Sequence, residues 1–216
     1  KYTNLAPVEA VVWDTPVRPA VPPDIRPALF PLCGRVVFHN GFVVESACFF
    51  PDGVRFSQDT HRDIHRASSS EDPRIADMNT EYLQDSATLI VSAGVVLSAP
   101  IELVFLAECD NPVRLAPRLS VVCEEGASAV FVERHRGTGQ ALSTVRVFIA
   151  IEEGGRAGHV RLEEAANDAI LLETMDIALK KNAHYQAFFY AGGGCLTRNQ
   201  ISATLAGPEA DLRIAA

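Results

Sequence analysis

From Leu89 onward, apolar and polar positions alternate residue by residue. Val145, Val147, Ile149 and Ile151 fall on one face of such a run, with Arg146 and Glu152 among those on the other. Met175, Ile177 and Leu179 do the same against Asp176 and Lys180; Asn199, Ile201, Ala203 and Leu205 repeat it against Gln200, Ser202 and Thr204. Side chains of a strand point to opposite faces in turn, so this pattern predicts half-buried strands. A longer period lies over it. Val121, Ile149, Ile177 and Leu205 follow one another at steps of 28 residues, and Leu119, Val147, Met175 and Ala203 keep step, as do Cys123, Ile151, Leu179 and Gly207. Small residues recur at Ala127, Gly155 and Ala183, with Ala210 one residue early; Phe131, His159 and Ala187 follow, with Ile214 one early. Leu89 and Val91 precede Val121 and Cys123 by 32, as a turn with four extra residues would place them.

A fixed step with a strand on either side of a small-residue corner describes one coil of a solenoid. One coil cannot bury its inward face alone, whereas stacked coils are expected to line up Val121, Ile149, Ile177 and Leu205 as a continuous apolar ladder. At about 3.3 Å per residue, 28 residues are far too long for one strand, so each coil holds two main strands with turns. An 18-residue coil of three hexapeptides does not fit. The fold class expected is therefore all-β, a parallel β-helix, taken as right-handed from the general preference of parallel crossovers.

The region before Leu89 is different. Residues 14–31 hold Pro16, Pro19, Pro22, Pro23, Pro27 and Pro31, a composition that predicts a linker, extended in part. Asn40-Gly41 between two apolar runs predicts a tight hairpin with strands at about 35–39 and 42–46, because both turn residues tolerate positive φ. From Phe50 to about Ser86 the chain is polar and irregular, with short helices expected around 60–67 and 72–84 and greater mobility than elsewhere. Two zones follow: a linker, hairpin and irregular region over 1–86 and a β-helix core over 87–216. Lys1 is not an initiator and Asp211-Leu212-Arg213-Ile214 still alternate, so the unit is expected to continue past Ala216.

A formal charge of −8 argues against a broad nucleic-acid surface. The five cysteines are odd in number and dispersed, without metal-finger spacing, which points to a reducing, cytoplasmic compartment. Apolar stretches are broken well short of a membrane span.

Few residues suggest chemistry. His61 and His65 share a helical face but lack a following glutamate and sit among Arg62, Asp63 and Arg66, as on a solvated surface. Gly192-Gly193-Gly194 leads into a strand with no Gly-Lys-Ser/Thr after it, and reads as a corner rather than a phosphate loop. Glu124-Glu125 and Glu152-Glu153 recur 28 apart just before corners, where solvated charge is expected. Cys123 falls on the inward ladder as a small apolar residue, and Cys195 is the more exposed thiol. His159 shares the register of Phe131 and Ala187, as a satisfied core histidine would. No catalytic, cofactor-binding or metal-binding residue is assigned, and no cofactor is expected in this stretch.

The order of several short motifs resembles a known family. Lys1-Tyr2-Thr3-Asn4-Leu5, Arg35-Val36-Val37-Phe38 with Asn40-Gly41-Phe42, Met78-Asn79-Thr80, Ala93-Gly94-Val95-Val96-Leu97 with Pro100-Ile101, Glu124-Glu125-Gly126-Ala127, Gly193-Gly194 with Leu196, Arg198 and Asn199, and Leu205-Ala206-Gly207 together resemble the SufB/SufD family of the SUF iron–sulfur cluster assembly machinery. Phe105-Leu106-Ala107-Glu108 stands where SufB-like chains carry Phe-Arg-x-Asn, so polar tunnel residues of SufB are missing and the SufD branch is favoured. The resemblance implies a right-handed β-helix with a helical tail after it, and a non-catalytic scaffold subunit acting with a SufB-like paralogue and a SufC-like ATPase. The family's cluster histidine and partner surfaces are expected beyond Ala216, so no ligand is carried over. A cut solenoid edge would expose unpaired strand groups and favour self-association. The alternatives are a β-helix carbohydrate-active enzyme, which would want an acidic cluster and aromatic groove side chains, and a purely structural solenoid. No nucleic acid or membrane partner is expected.

Overall fold

The computed structural model describes residues 4–25, 28, 30–59 and 73–216. Three strands precede the coils: β1 (Gly34–His39), β2 (Phe42–Val43) and β3 (Val54–Asp59). Five coils then stack, each sending one strand to either of two facing sheets. They are β4 (Ser86–Val91) with β5 (Ile101–Glu108), β7 (Arg118–Cys123) with β8 (Ser128–Thr138), β9 (Ala141–Ile151) with β10 (Arg156–Glu164), β11 (Ile170–Leu179) with β12 (His184–Ala191), and β13 (Leu196–Leu205) with β14 (Asp211–Ala215). A short β6 (Val113–Leu115) pairs with β9 off the main path. All pairings between coils are parallel; the antiparallel ones are β1 with β2 and β3 with β4. The all-β solenoid with coils of about 28 residues is thus the observed architecture.

The apolar ladder follows from the register. Leu89, Val121, Ile149 and Ile177 are direct partners across successive coils, none more than 3% exposed. Each such side chain taken from water contributes about 1.5–3 kcal/mol, which is why only a stack can hold the coil closed. The last step differs from the 28-residue expectation. Leu205 pairs with Leu179, not Ile177, whose partner is Ala203. The shortening occurs at the corner around Gly193: Glu163 still faces Ala191 at 28, but Ile170 faces Leu196 at 26. A side chain at Gly193 would come within 2.4 Å of the Ala165 carbonyl oxygen, so only glycine lets the chain cut this corner.

The opposite corners repeat one device. Gly94, Gly126, Gly154, Asn182 and Glu209 all have φ between 55° and 71°. The N–H of Gly94, Gly126, Gly154 and Asn182 donates to a carbonyl of the next coil at 2.9–3.0 Å, which stacks the corners as the ladders stack the strands.

The hairpin lies where Asn40-Gly41 places it, with φ of 50° and 84°. Its second strand is shorter than expected, ending at Val43, because Glu45–Ala47 turns into a 3-10 helix. β1 also pairs in parallel with β5 and so extends one sheet. The expected helix at 72–84 is α2 (Arg74–Glu81), whereas the helix expected at 60–67 lies outside the described residues. A further short helix, α1 (Ala6–Glu9), packs Val8 with Ile75 against Leu142, Ile170 and Leu172. These three point away from the solenoid interior, so the N-terminal segment and α2 cover the outside of that sheet. The buried Asn79 of α2 fastens it: Nδ2 donates to the carbonyls of Pro117 (3.0 Å) and Thr144 (2.5 Å), and Oδ1 accepts from Arg118 Nε and Nη2 at 3.0 and 2.9 Å. Among the described residues, no helix is long and apolar enough to cross a membrane.

Candidate functional site: a charge cluster inside the solenoid

Alternation along β8 that turns Phe131 inward also turns Glu133 and His135 inward. On β10 it brings in His159, Arg161 and Glu163, on β11 Glu173, and on β12 Tyr185 and Phe189. The register stacks Leu103, Glu133, Arg161 and Phe189 in one row and Phe105, His135, Glu163 and Ala191 in the next. The interior is therefore apolar toward the corners near Ala127, Gly155 and Ala183, and charged toward the other end of the same strands.

The charged end is shut from solvent. Glu133, Arg161, Glu163 and Glu173 are at most 1% exposed, and His135 and His159 at most 4%. Glu133 Oε1 accepts from or shares a proton with His135 Nε2 at 2.5 Å, and its Oε2 lies 3.2 Å from His159 Nε2. His159 Nδ1 meets the Tyr185 hydroxyl at 2.7 Å. Arg161 Nε is 2.7 Å from Glu173 Oε2 and 3.4 Å from Glu133 Oε1. The Thr197 hydroxyl donates to Glu163 Oε1 at 2.5 Å. His135 also stacks on Phe105, 4.9 Å between ring centres.

These surroundings push two carboxyls apart. Burial alone would raise Glu133, but the hydrogen bond from His135 and the proximity of His159 outweigh it and hold Glu133 well below the usual carboxylate range. Burial raises Glu173 well above that range, against the pull of Arg161 and with the push of Glu133. Burial likewise lowers His135, with Glu133 opposing, and raises the Tyr185 phenol. Two carboxyls of one buried cluster are thus shifted in opposite directions. A cavity of about 30 Å³ adjoins His135, lined also by Phe105, Gly137, Ala141, Ala169 and Leu171. It is room for water-sized guests only. The arrangement can hold protons or a cation; it offers no cleft for an organic substrate.

Of the residues singled out by sequence, His159 alone joins this cluster. It is a core histidine as expected, but only half satisfied: Nε2 lacks a partner at hydrogen-bonding geometry. Gly192-Gly193-Gly194 forms a corner, and the Glu124-Glu125 and Glu152-Glu153 pairs sit at corners, Glu124 with Arg55 and Glu153 with Lys181 at 2.8 Å. His61 and His65 lie outside the described residues. Sequence reasoning missed Glu133, His135, Arg161, Glu163 and Glu173. The ladder through Phe131 and His159 already held the signal, since two and four residues further on come Glu133 with Arg161 and His135 with Glu163.

The cysteines separate by burial. Cys195 is exposed, whereas Cys123 is sealed in the apolar half and burial pushes its thiol up to about 12. At pH 8 that leaves about one Cys123 in ten thousand as the reactive thiolate. In the folded protein a thiol reagent such as a maleimide is expected to modify Cys195 within minutes and leave Cys123 untouched until denaturant is added. Peptide mapping by mass spectrometry reads both, and native labelling of Cys123 would contradict this packing.

Two comparisons bear on the whole. The family model described as SUF system FeS cluster assembly, SufBD core domain, matches residues 105–216, from β5 to the end of β14. An iron–sulfur cluster assembly SufBD family protein of Synechocystis sp. is 26% identical over 197 residues, which cover 79% of this chain and 43% of that protein. The chain therefore spans less than half the length of this curated relative.

Proposed function

The chain belongs to the SufB/SufD family of the SUF iron–sulfur cluster assembly system, and we propose that it acts there as a non-catalytic scaffold subunit of the SufD branch. On this reading it works in the cytoplasm with a SufB-like paralogue and a SufC-like ATPase, and the iron–sulfur cluster is cargo rather than a resident cofactor. The observation that carries the reading is the continuity of the solenoid through the family-matched residues: β5 to β14 form stacked coils whose interior is filled, with its charged groups turned inward and shut from solvent. Such a body offers long outer faces and strand edges to partners. The aliphatic Leu106-Ala107 after Phe105 supports the SufD branch.

The test is affinity capture. The complete product of the gene, tagged and co-expressed with a SufB-like paralogue and a SufC-like ATPase, is expected to bring both down in fixed ratio on size exclusion with light scattering. Recovery of neither partner would overturn the scaffold reading. Within residues 1–216, β13 and β14 each pair on one side only, which gives residues 1–216 on their own a second readout. Self-association through them would appear as a mass that rises with concentration when the chain is alone and falls back when partners are present.

A further inference from the structure

The interior cluster does not balance its charge. Among the described residues, Glu133, Glu163 and Glu173 face a single guanidinium, that of Arg161, which leaves two formal negative charges when all three carboxyls are ionised, in a region at most 4% exposed. Uncompensated charge in such a place costs several kcal/mol for each group, so the folded chain must bring in either two protons or one divalent cation.

The geometry favours the cation. Glu133, His135 and Glu173 each offer a ligand atom, and the three atoms lie within 4.8 Å of one another. Glu173 Oε1 is buried with no hydrogen-bond partner, and Glu133 Oε2 and His159 Nε2, 3.2 Å apart, are buried with no partner beyond that one contact. The surroundings are those of a held site: the Tyr185 hydroxyl on Nδ1 of His159 turns Nε2 toward Glu133, and Arg161 anchors the far oxygen of Glu173. Two carboxylates and one or two imidazoles, with no thiolate, suit a borderline divalent transition metal; calcium and magnesium prefer all-oxygen shells.

We propose that Glu133, His135 and Glu173, with His159 as a further donor, form a binding site for one divalent transition-metal ion of the zinc class inside the solenoid. The ion replaces the short contact between His135 and Glu133 and cancels the two unmatched charges. It ties β8, β10 and β11 together from within. The ion is held by this chain's own residues whether or not the chain acts as a scaffold.

Because the site is closed, the ion is to be offered during folding. The chain is unfolded in guanidinium with a chelator, refolded with one equivalent of Zn²⁺ or Co²⁺, desalted, and measured for metal by plasma mass spectrometry. We expect about one ion retained per chain, and visible d–d bands for the cobalt form. Glu173→Gln and His135→Asn are each expected to weaken retention at least about tenfold while far-UV circular dichroism and elution volume stay native. If one of the two does not fold, the other carries the comparison. A folded wild-type chain that retains no metal would overturn the proposal and assign the charge balance to two protons. Equal retention by wild type and both variants would also overturn it, placing the ion on the surface.

Discussion

Replacing Arg161 with methionine is expected to lower folding stability by about 3–5 kcal/mol, because it removes the one guanidinium that the described residues place among three buried carboxyls. Arg161 is fully buried, 2.7 Å from Glu173 and 3.4 Å from Glu133. Methionine fills similar volume, so the loss reports charge rather than a void. Urea denaturation followed by circular dichroism would measure it as a fall in midpoint at unchanged slope. The double variant Arg161→Met/Glu173→Gln is expected to lose less than the sum of its two single losses. The second change weakens a carboxyl that the first has left without its cation, and groups in one network do not add. A single variant within 1 kcal/mol of wild type would mean that the cluster does not support the fold.

Asn79→Ala is expected to rank next, at about 2–3 kcal/mol. The substitution takes a donor from the Thr144 carbonyl and from that of Pro117, which keeps the Arg146 N–H, and it leaves the buried Arg118 guanidinium with Thr80 Oγ1 alone of its two acceptors. A buried group left without its partner costs about 1–3 kcal/mol, more when charged. Burial and the neighbouring Arg146 lower Arg118 to about 10, so at neutral pH it remains a cation in need of that acceptor. Asn79→Asp keeps an acceptor for Arg118 and loses both donors, and should fall between alanine and wild type. The same urea experiment decides; an alanine variant as stable as wild type would show that α2 is held by its apolar face alone.

Much of the fold was legible because it repeats. Val121, Ile149 and Ile177 announce the coil by identical spacing, Leu89 carries the spacing back across a four-residue insertion, and Asn40-Gly41 marks a turn by its own conformational demand. Leu205 misled, since the two residues lost near Gly193 fall in a glycine-rich corner where no apolar side chain records the change of register. The charge cluster was half legible. Glu133 and Arg161 continue the inward phase of Phe131 and His159, but a charged residue there reads as the end of a strand unless its partner is known. That partner, Glu173, comes from the opposite sheet. The 28-residue step relates residues along one sheet and says nothing of which residues meet across the interior. Asn79 was hidden for a similar reason: a polar residue on a short helix looks solvated until Pro117, Arg118 and Thr144 close over it.

A chain built of repeats usually melts a few coils at a time, because each coil touches only its neighbours. The cluster works against that. It draws Glu133 and His135 from the second coil, His159, Arg161 and Glu163 from the third, Glu173 and Tyr185 from the fourth and Thr197 from the fifth. Opening any of the inner coils alone would tear charges from their counterparts while the remaining ones stay shut from water. The second to fourth coils should therefore exchange their amide hydrogens together, as one cooperative block, with fraying confined to the strands outside it. The charges that cost the interior its simplicity turn a stack of separable layers into a single thermodynamic body.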